Sequence, residues 1–191
     1  MRRLAVVAVL VLALAACSGD DDGGSTTAAP EDTVASTLAG ETLTLTSDAF
    51  DDGGTIPAEH AGCVDQQPGP NVSPPLTWSG VPDSAVELAV TVVDPDADGF
   101  VHWVVAGIDP TATGLESGSV PEGAVEAQND AETPGYFGPC PPEEHTYLFA
   151  VHALAEPSGL TEGMAAAEAL AAVEGATELQ AELRGVYDQA A

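Results

Sequence analysis

Between Val86 and Val105 the chain carries two β-strand patterns and the turn between them, and this pair limits what the rest can fold into. Val86, Leu88, Val90 and Val92 alternate with Glu87, Ala89 and Thr91, the period of a strand with one buried face. Pro95 stops that strand and Gly99 permits a turn. Val101, Trp103 and Val105 then share one face of a second strand, with His102 and Val104 on the other. Asp94 and His102 can therefore converge on one point. An aspartate in a turn also serves the turn alone, and a strand histidine also serves packing.

The same periods place the remaining elements. Thr42 to Thr46, Leu76 to Trp78 and His145 to Leu154 read as strands, the last with His145, Tyr147, Phe149 and Val151 on one face. Ser47 to Pro75 and Asp109 to Pro134 read as loops. Gly135-Tyr136-Phe137-Gly138-Pro139-Cys140-Pro141-Pro142 is unsuited to helix or central strand, because proline has no N–H to give. Thr161 predicts a helix start, with the helix running to about Val173 and ending at Gly175. Leu179, Leu183, Val186 and Tyr187 predict a second helix over Thr177 to Tyr187. Strands dominate, so the expected fold is mostly β: a two-sheet sandwich with peripheral and C-terminal helices.

The first residues belong to another purpose. Arg2 and Arg3 precede an apolar run from Leu4 to Ala13, followed by Leu14-Ala15-Ala16-Cys17. That run is too short to remain as a membrane span and reads as an export signal. Small residues before a cysteine match the bacterial lipoprotein signal, which makes Cys17 the lipidated residue. Residues 1–16 are then a leader, 17–40 a flexible acidic tether, and 41–191 the folded domain. The expected location is the outer face of the cytoplasmic membrane or the cell envelope, with membrane contact through the N-terminal lipid alone.

Charge narrows the partners. Three basic residues stand against 31 acidic ones, for a formal net charge of −28. There is no lysine, and loss of the leader leaves Arg184 as the remaining arginine. Nucleic acid is repelled by such a surface. A hydrated acidic surface suits a saline habitat; a GC-rich genome accounts for the same composition. Cys63 and Cys140 remain after Cys17, and two cysteines in an exported domain are able to form one disulfide.

Asp94, His102, His145 and Tyr147 are side chains of more than one chemistry. Nucleophilic hydrolysis needs a serine or cysteine on a sharp turn, and no Gly-x-Ser-x-Gly occurs. Zinc could take His102, His145 and Asp94, but their spacing matches no short zinc motif. A phosphate-cradling loop with its lysine is absent. No cofactor or metal is expected. Binding of a small anion fits best: imidazolium and tyrosine hydroxyl donate hydrogen bonds, glycine-turn N–H groups add more, and a carboxylate such as Asp94 orients a histidine and favours its charged form.

Four segments, in order, resemble the phosphatidylethanolamine-binding protein (PEBP) family, in its bacterial Raf-kinase-inhibitor-like branch. They are Asn71-Val72-Ser73-Pro74-Pro75-Leu76-Thr77-Trp78, Asp94-Pro95-Asp96-Ala97, His102-Trp103-Val104-Val105, and Gly135 to Pro142 with His145-x-Tyr147. The resemblance runs from about Leu43 to Tyr187. It implies a β-sandwich with flanking helices and a small cavity for phosphate-like anions. Carried over residue by residue, the cavity wall is Asp94, His102, Gly138, Pro139, His145 and Tyr147. The resemblance also implies that the loops holding Cys63 and Cys140 approach the same end of the sandwich, so that the two are bonded. The chain departs from the family at Asp98, commonly proline, at Thr146, frequently basic, at Ala176, often histidine, and at His152, commonly tyrosine. The implied function is a non-enzymatic, lipid-anchored binding protein for a phosphate, phosphorylated or carboxylate group. The alternatives are an interaction or inhibitor module, using the loops Cys63 to Pro75 and Gly118 to Pro134 against an envelope protease or other protein, and a phosphoester hydrolase.

Overall fold

The structure is a computed structural model that describes residues 34–35, 37–38 and 41–189. The expected leader, Cys17 and most of the expected tether lie outside the described residues. The principal elements are β1 (Thr44–Thr46), β2 (Leu76–Ser79), β3 (Glu87–Asp94), β4 (Phe100–Ile108), β5 (His145–Leu154), α1 (Ala166–Ala176) and β6 (Thr177–Tyr187).

The larger sheet runs Val34–Ala35, β6, β5, β3, β4, Val125–Glu126, with Gly54–Thr55 added in parallel to β6. The pairing of Val34 with Glu182 brings part of the expected tether into the sheet, so the sheet begins before residue 41. A smaller sheet of Gly114–Leu115, β2 and β1 packs against it. Between the sheets, Leu43, Leu45, Leu76 and Trp78 meet Leu88, Val90, Val92, Trp103, Phe149, Val151 and Leu183. The buried Trp78 indole is satisfied by Ala112 O at 2.7 Å, as a polar group in such a core must be.

On the other face of the large sheet, Ala166, Ala169, Val173 and Ala176 of α1 cover Ala89, Val104, Ala106 and Leu154. Alanines on both sides allow a short helix to sit close, and β3, covered on both faces, is apolar almost throughout. One polar cluster lies among them: His152 Nε2 meets Thr91 Oγ1 at 2.9 Å, and its Nδ1 meets Thr177 Oγ1 at 3.1 Å.

The expected single buried face of β3 is corrected, since Ala89 and Thr91 are buried along with Leu88, Val90 and Val92, and Val86 is exposed before the strand starts. Three further expectations are corrected. First, Thr177 to Tyr187 is a strand, not a second helix, so α1 is the α-helix among the described residues. Leu179, Leu183 and Tyr187 satisfy both periods; Ala181 and Gly185 decide, because they are buried too and complete an every-second-residue pattern. Gly185 is also a packing requirement: a Cβ there would stand 2.5 Å from Ile56 Cγ1 and 2.9 Å from Phe50 Cε2. Second, the helix begins at Ala166 and continues through Gly175 rather than running from Thr161. Third, the register of β3 and β4 shifts between Val101 and Trp103. This bulge breaks the expected 101/103/105 alternation, and Val101 joins Val104 under α1 while Trp103 and Val105 face the sandwich core.

Candidate functional site

The bulge sits where β4 carries its histidine, and the connection from β3 brings an acid beside it. Asp94 ends β3, and its Oδ1 accepts from Asp96 N at 2.9 Å and Ala97 N at 3.1 Å, capping the single turn Pro95–Ala97. Asp98 then turns the chain with a φ of 54°. That angle is closed to proline, whose ring holds φ near −65°, so the usual family residue does not suit this turn. The other oxygen, Oδ2, accepts from His145 Nδ1 at 2.7 Å. His145 opens β5, and Tyr147 lies two residues along the same strand face.

His102 is held differently. Its Nδ1 donates to Phe137 O at 2.6 Å, and Phe137 N donates back to His102 O at 2.9 Å. Three aromatic rings crowd its imidazole: Phe100 at 4.7 Å, Tyr147 at 5.1 Å and Phe137 at 5.8 Å between centroids. Asp94, His102 and Tyr147 are 3 %, 4 % and 1 % exposed, and the His145 side chain 14 %. All four line one cavity of about 150 Å³, completed by Ala97, Phe100, Phe137, Cys140, Pro141 and Pro142. A drug-sized ligand needs roughly 300–1,000 Å³. This space suits a single small head group.

The hydrogen bonds assign the proton on each ring. A carbonyl or carboxylate oxygen only accepts, so Nδ1 carries the hydrogen in both His102 and His145. Neither Nε2 makes a hydrogen bond to a described residue, the Nδ1 bonds being those of each ring. Burial holds the His102 imidazole below its ordinary value, against the opposing pull of the Phe137 carbonyl and the Asp94 and Asp130 carboxylates. His102 is therefore neutral at neutral pH, and its Nε2 is an acceptor that becomes a donor only on protonation. The expected imidazolium at His102 is not its resting form. Burial first, and then the Asp94 carboxylate, push the Tyr147 hydroxyl up, so it remains protonated.

The pattern of strand, acidic turn, histidine strand and proline-rich segment matches known proteins along most of its length. The family model for phosphatidylethanolamine-binding protein matches residues 46–188. The chain belongs to the PEBP family. A UPF0098 protein of Methanothermobacter thermautotrophicus is 42% identical over 153 residues, covering 76% of this chain and 98% of the relative. A Mycobacterium tuberculosis protein provisionally named lipoprotein LppC is 40% identical over 162 residues, covering 82% of this chain and 78% of its own. Among solved structures, YbcL of Escherichia coli, described as a member of the mammalian PEBP family, superposes with a TM-score of 0.70 at 33% identity, over 76% of this chain and 98% of that one.

Of the expected wall residues of this PEBP domain, Asp94, His102, His145 and Tyr147 line the cavity, whereas Gly138 and Pro139 stand behind it. Gly138 lies where two backbones nearly touch: a Cβ there would fall 2.3 Å from His60 O. Its N–H donates to Asn71 Oδ1 at 2.6 Å. Pro139 O accepts from Gly62 N at 2.9 Å and Cys63 N at 3.2 Å. The pair thus braces the loop that the Cys63–Cys140 disulfide also secures. Tyr187 likewise serves the brace, donating from its hydroxyl to Cys63 O at 2.8 Å. Ala97, Phe100, Phe137, Cys140, Pro141 and Pro142 are wall residues outside the expected set; the signal for the two aromatics was one within two residues of His102 and another inside the Gly-Pro segment.

Proposed function

We propose that the domain binds a small anion, a phosphoryl or carboxylate head group, in the Asp94/His102/His145/Tyr147 cavity without chemical turnover. The observation that carries this reading is the pair of histidines, in one small aromatic cavity, whose Nδ1 atoms are both engaged and whose Nε2 atoms make no hydrogen bond to a described residue. Binding is coupled to proton uptake. The anion needs a donor at His102 Nε2, and that donor exists only in the charged ring, which burial disfavours. A bound anion repays that cost and raises the His102 value in turn. The absence of turnover is supported by Cys140: the sulfur on the wall is bonded to Cys63 and is no nucleophile in the oxidised protein.

Calorimetry on the full-length protein with phosphate and with phosphoethanolamine, at pH 5.5 and pH 8, tests this. Binding is expected at the lower pH, weakening roughly tenfold per pH unit once His102 is neutral, with close to one proton taken up per anion. His102→Gln is expected to weaken binding at pH 5.5 and to remove the His102 part of the pH dependence. No binding of either probe at millimolar concentration at either pH sinks the reading.

The lipid anchor belongs to the same proposal. It is supported by the leader ending at Cys17 and by the provisional naming of the mycobacterial relative as a lipoprotein. No helix among the described residues is long and apolar enough to cross a membrane. Cys17→Ala is expected to release the protein from the membrane fraction and to abolish labelling by a palmitate analogue. Unchanged fractionation and labelling contradict the anchor.

A further inference from the structure

A second cavity, of about 540 Å³, has chemistry opposite to the first. Its walls come from the loops at Asn71–Ser73 and Ser117–Val120, the segment Pro134–Tyr136, and the edge residue Glu126. Successive side chains separate the two cavities: His102 and Phe137 line the first, and their chain neighbours Trp103 and Tyr136 line the second. The one charged side chain on the second wall is Glu126.

That carboxylate is fixed. Its Oε1 accepts the indole N–H of the fully buried Trp103 at 2.7 Å. Its Oε2 makes no hydrogen bond to a described residue, and Glu126 is only half-buried, so this oxygen faces the groove and solvent. Gly135, at a φ of 82°, stands against it: a Cβ there would come within 3.1 Å of Oε1 and 3.3 Å of Oε2, so glycine leaves the carboxylate uncrowded. The loops are tied to each other, Ser117 Oγ donating to Ser73 O at 3.0 Å and Gly118 N to Ser73 Oγ at 3.2 Å. Tyr136 meets Trp103 edge-on at 5.7 Å, and Val72 and Val120 supply apolar wall. A neighbouring cavity of about 250 Å³ shares Glu126 and Pro134 and adds Glu162.

We infer that this groove binds the cationic head of an organic base, an alkylammonium or guanidinium group of the kind carried by lysine and arginine side chains, with Glu126 Oε2 as its anionic partner. A preset carboxylate beside aromatic rings is how such heads are held, and the valines accommodate an alkyl stem. The chain has no lysine, and Arg184, the arginine among the described residues, lies on β6 and not on this wall, so no described residue supplies the cation. The net charge of −28 draws such ligands in.

The test titrates the ¹⁵N-labelled full-length protein, at near-physiological salt, with n-butylammonium, n-butylguanidinium and a hexapeptide of alternating lysine and glycine. The readout is the Trp103 indole N–H resonance, told from that of Trp78 by its displacement in Glu126→Gln. A saturable shift is expected, with affinity about tenfold or more weaker in Glu126→Gln. Glu174→Gln, which removes the same charge from an exposed site on α1, is expected to leave the affinity unchanged. A hexapeptide about tenfold tighter than the small cations assigns the groove to a peptide side chain, and equal affinities assign it to a free base. A resonance unmoved by about 10 mM of every probe, weaker than any useful affinity, or one equally responsive in Glu126→Gln, overturns the inference.

Discussion

Replacing Cys63 and Cys140 together by serine will lower the unfolding free energy by about 4 kcal/mol. The bridge joins residues 77 apart in sequence, with Cα atoms 4.8 Å apart, and a loop of that length removes much entropy from the unfolded chain. The folded domain depends on the bridge locally as well. The segment from Gly62 to Gly69 forms only the short ribbon of Cys63–Val64 with Gln67–Pro68, and besides the disulfide it is held by the Pro139 and Tyr187 hydrogen bonds. Cys140 is also part of the wall of the Asp94/His102 cavity. The double variant should therefore unfold at lower urea and bind phosphate more weakly at pH 5.5. Urea denaturation with and without reductant checks this: reductant should bring the natural protein to the stability of the variant and leave the variant unmoved. Equal midpoints for all four samples contradict the prediction.

Acid will destabilise the domain between pH 6.5 and about 4 through His152. Burial lowers this imidazole to about 4. Its two nitrogens face Thr91 Oγ1 and Thr177 Oγ1, and the Thr177 hydroxyl itself donates to Val173 O at 2.7 Å. Thr177 Oγ1 is thus an acceptor for His152 Nδ1–H, which leaves Nε2 to accept from Thr91: each site is filled with a neutral ring. The unfolded chain binds the proton at 6.5 and the folded one does not until about 4, so stability rises with pH across that window. The contribution is complete above 6.5 and is progressively lost as the pH falls toward 4. At 1.36 kcal/mol per pH unit, the gap is worth about 3 kcal/mol at the acid end. His152→Gln should flatten unfolding free energy against pH over this window. His102, also held low by burial, adds to the same slope, so His102→Gln should remove a further, separate part. A slope unchanged in His152→Gln contradicts the assignment.

Much of this was legible in the residues. The apolar run of Leu88 to Val93, the proline-glycine stop, and the His145/Tyr147 spacing placed three strands, although Ala89 and Thr91 are buried as well as Leu88 and Val90, and Val86 is exposed. The failures have a common form. Thr177 to Tyr187 satisfied both a helical and a strand period through Leu179, Leu183 and Tyr187, and only burial on the sheet distinguishes them. The bulge at Val101 depends on the register against Val93 and Val92, which no local pattern states. Glu126 had no signal as a functional residue: its segment reads as loop in the sequence although Val125–Glu126 pairs at the sheet edge, and Trp103 makes it notable only by folding against it.

The sequence alone determined the β-rich class, the acidic surface and the types of residue offered at the end of β3 and the start of β5, because apolar patterning, charge and turn chemistry are local properties. The tertiary structure decided which oxygen holds which ring. Asp94 orients His145, and the Phe137 carbonyl holds His102, joining residues 51 and 35 positions apart. The charge state of His102 is likewise a product of packing, since three aromatic rings and burial, not its neighbours in sequence, set the cost of its proton.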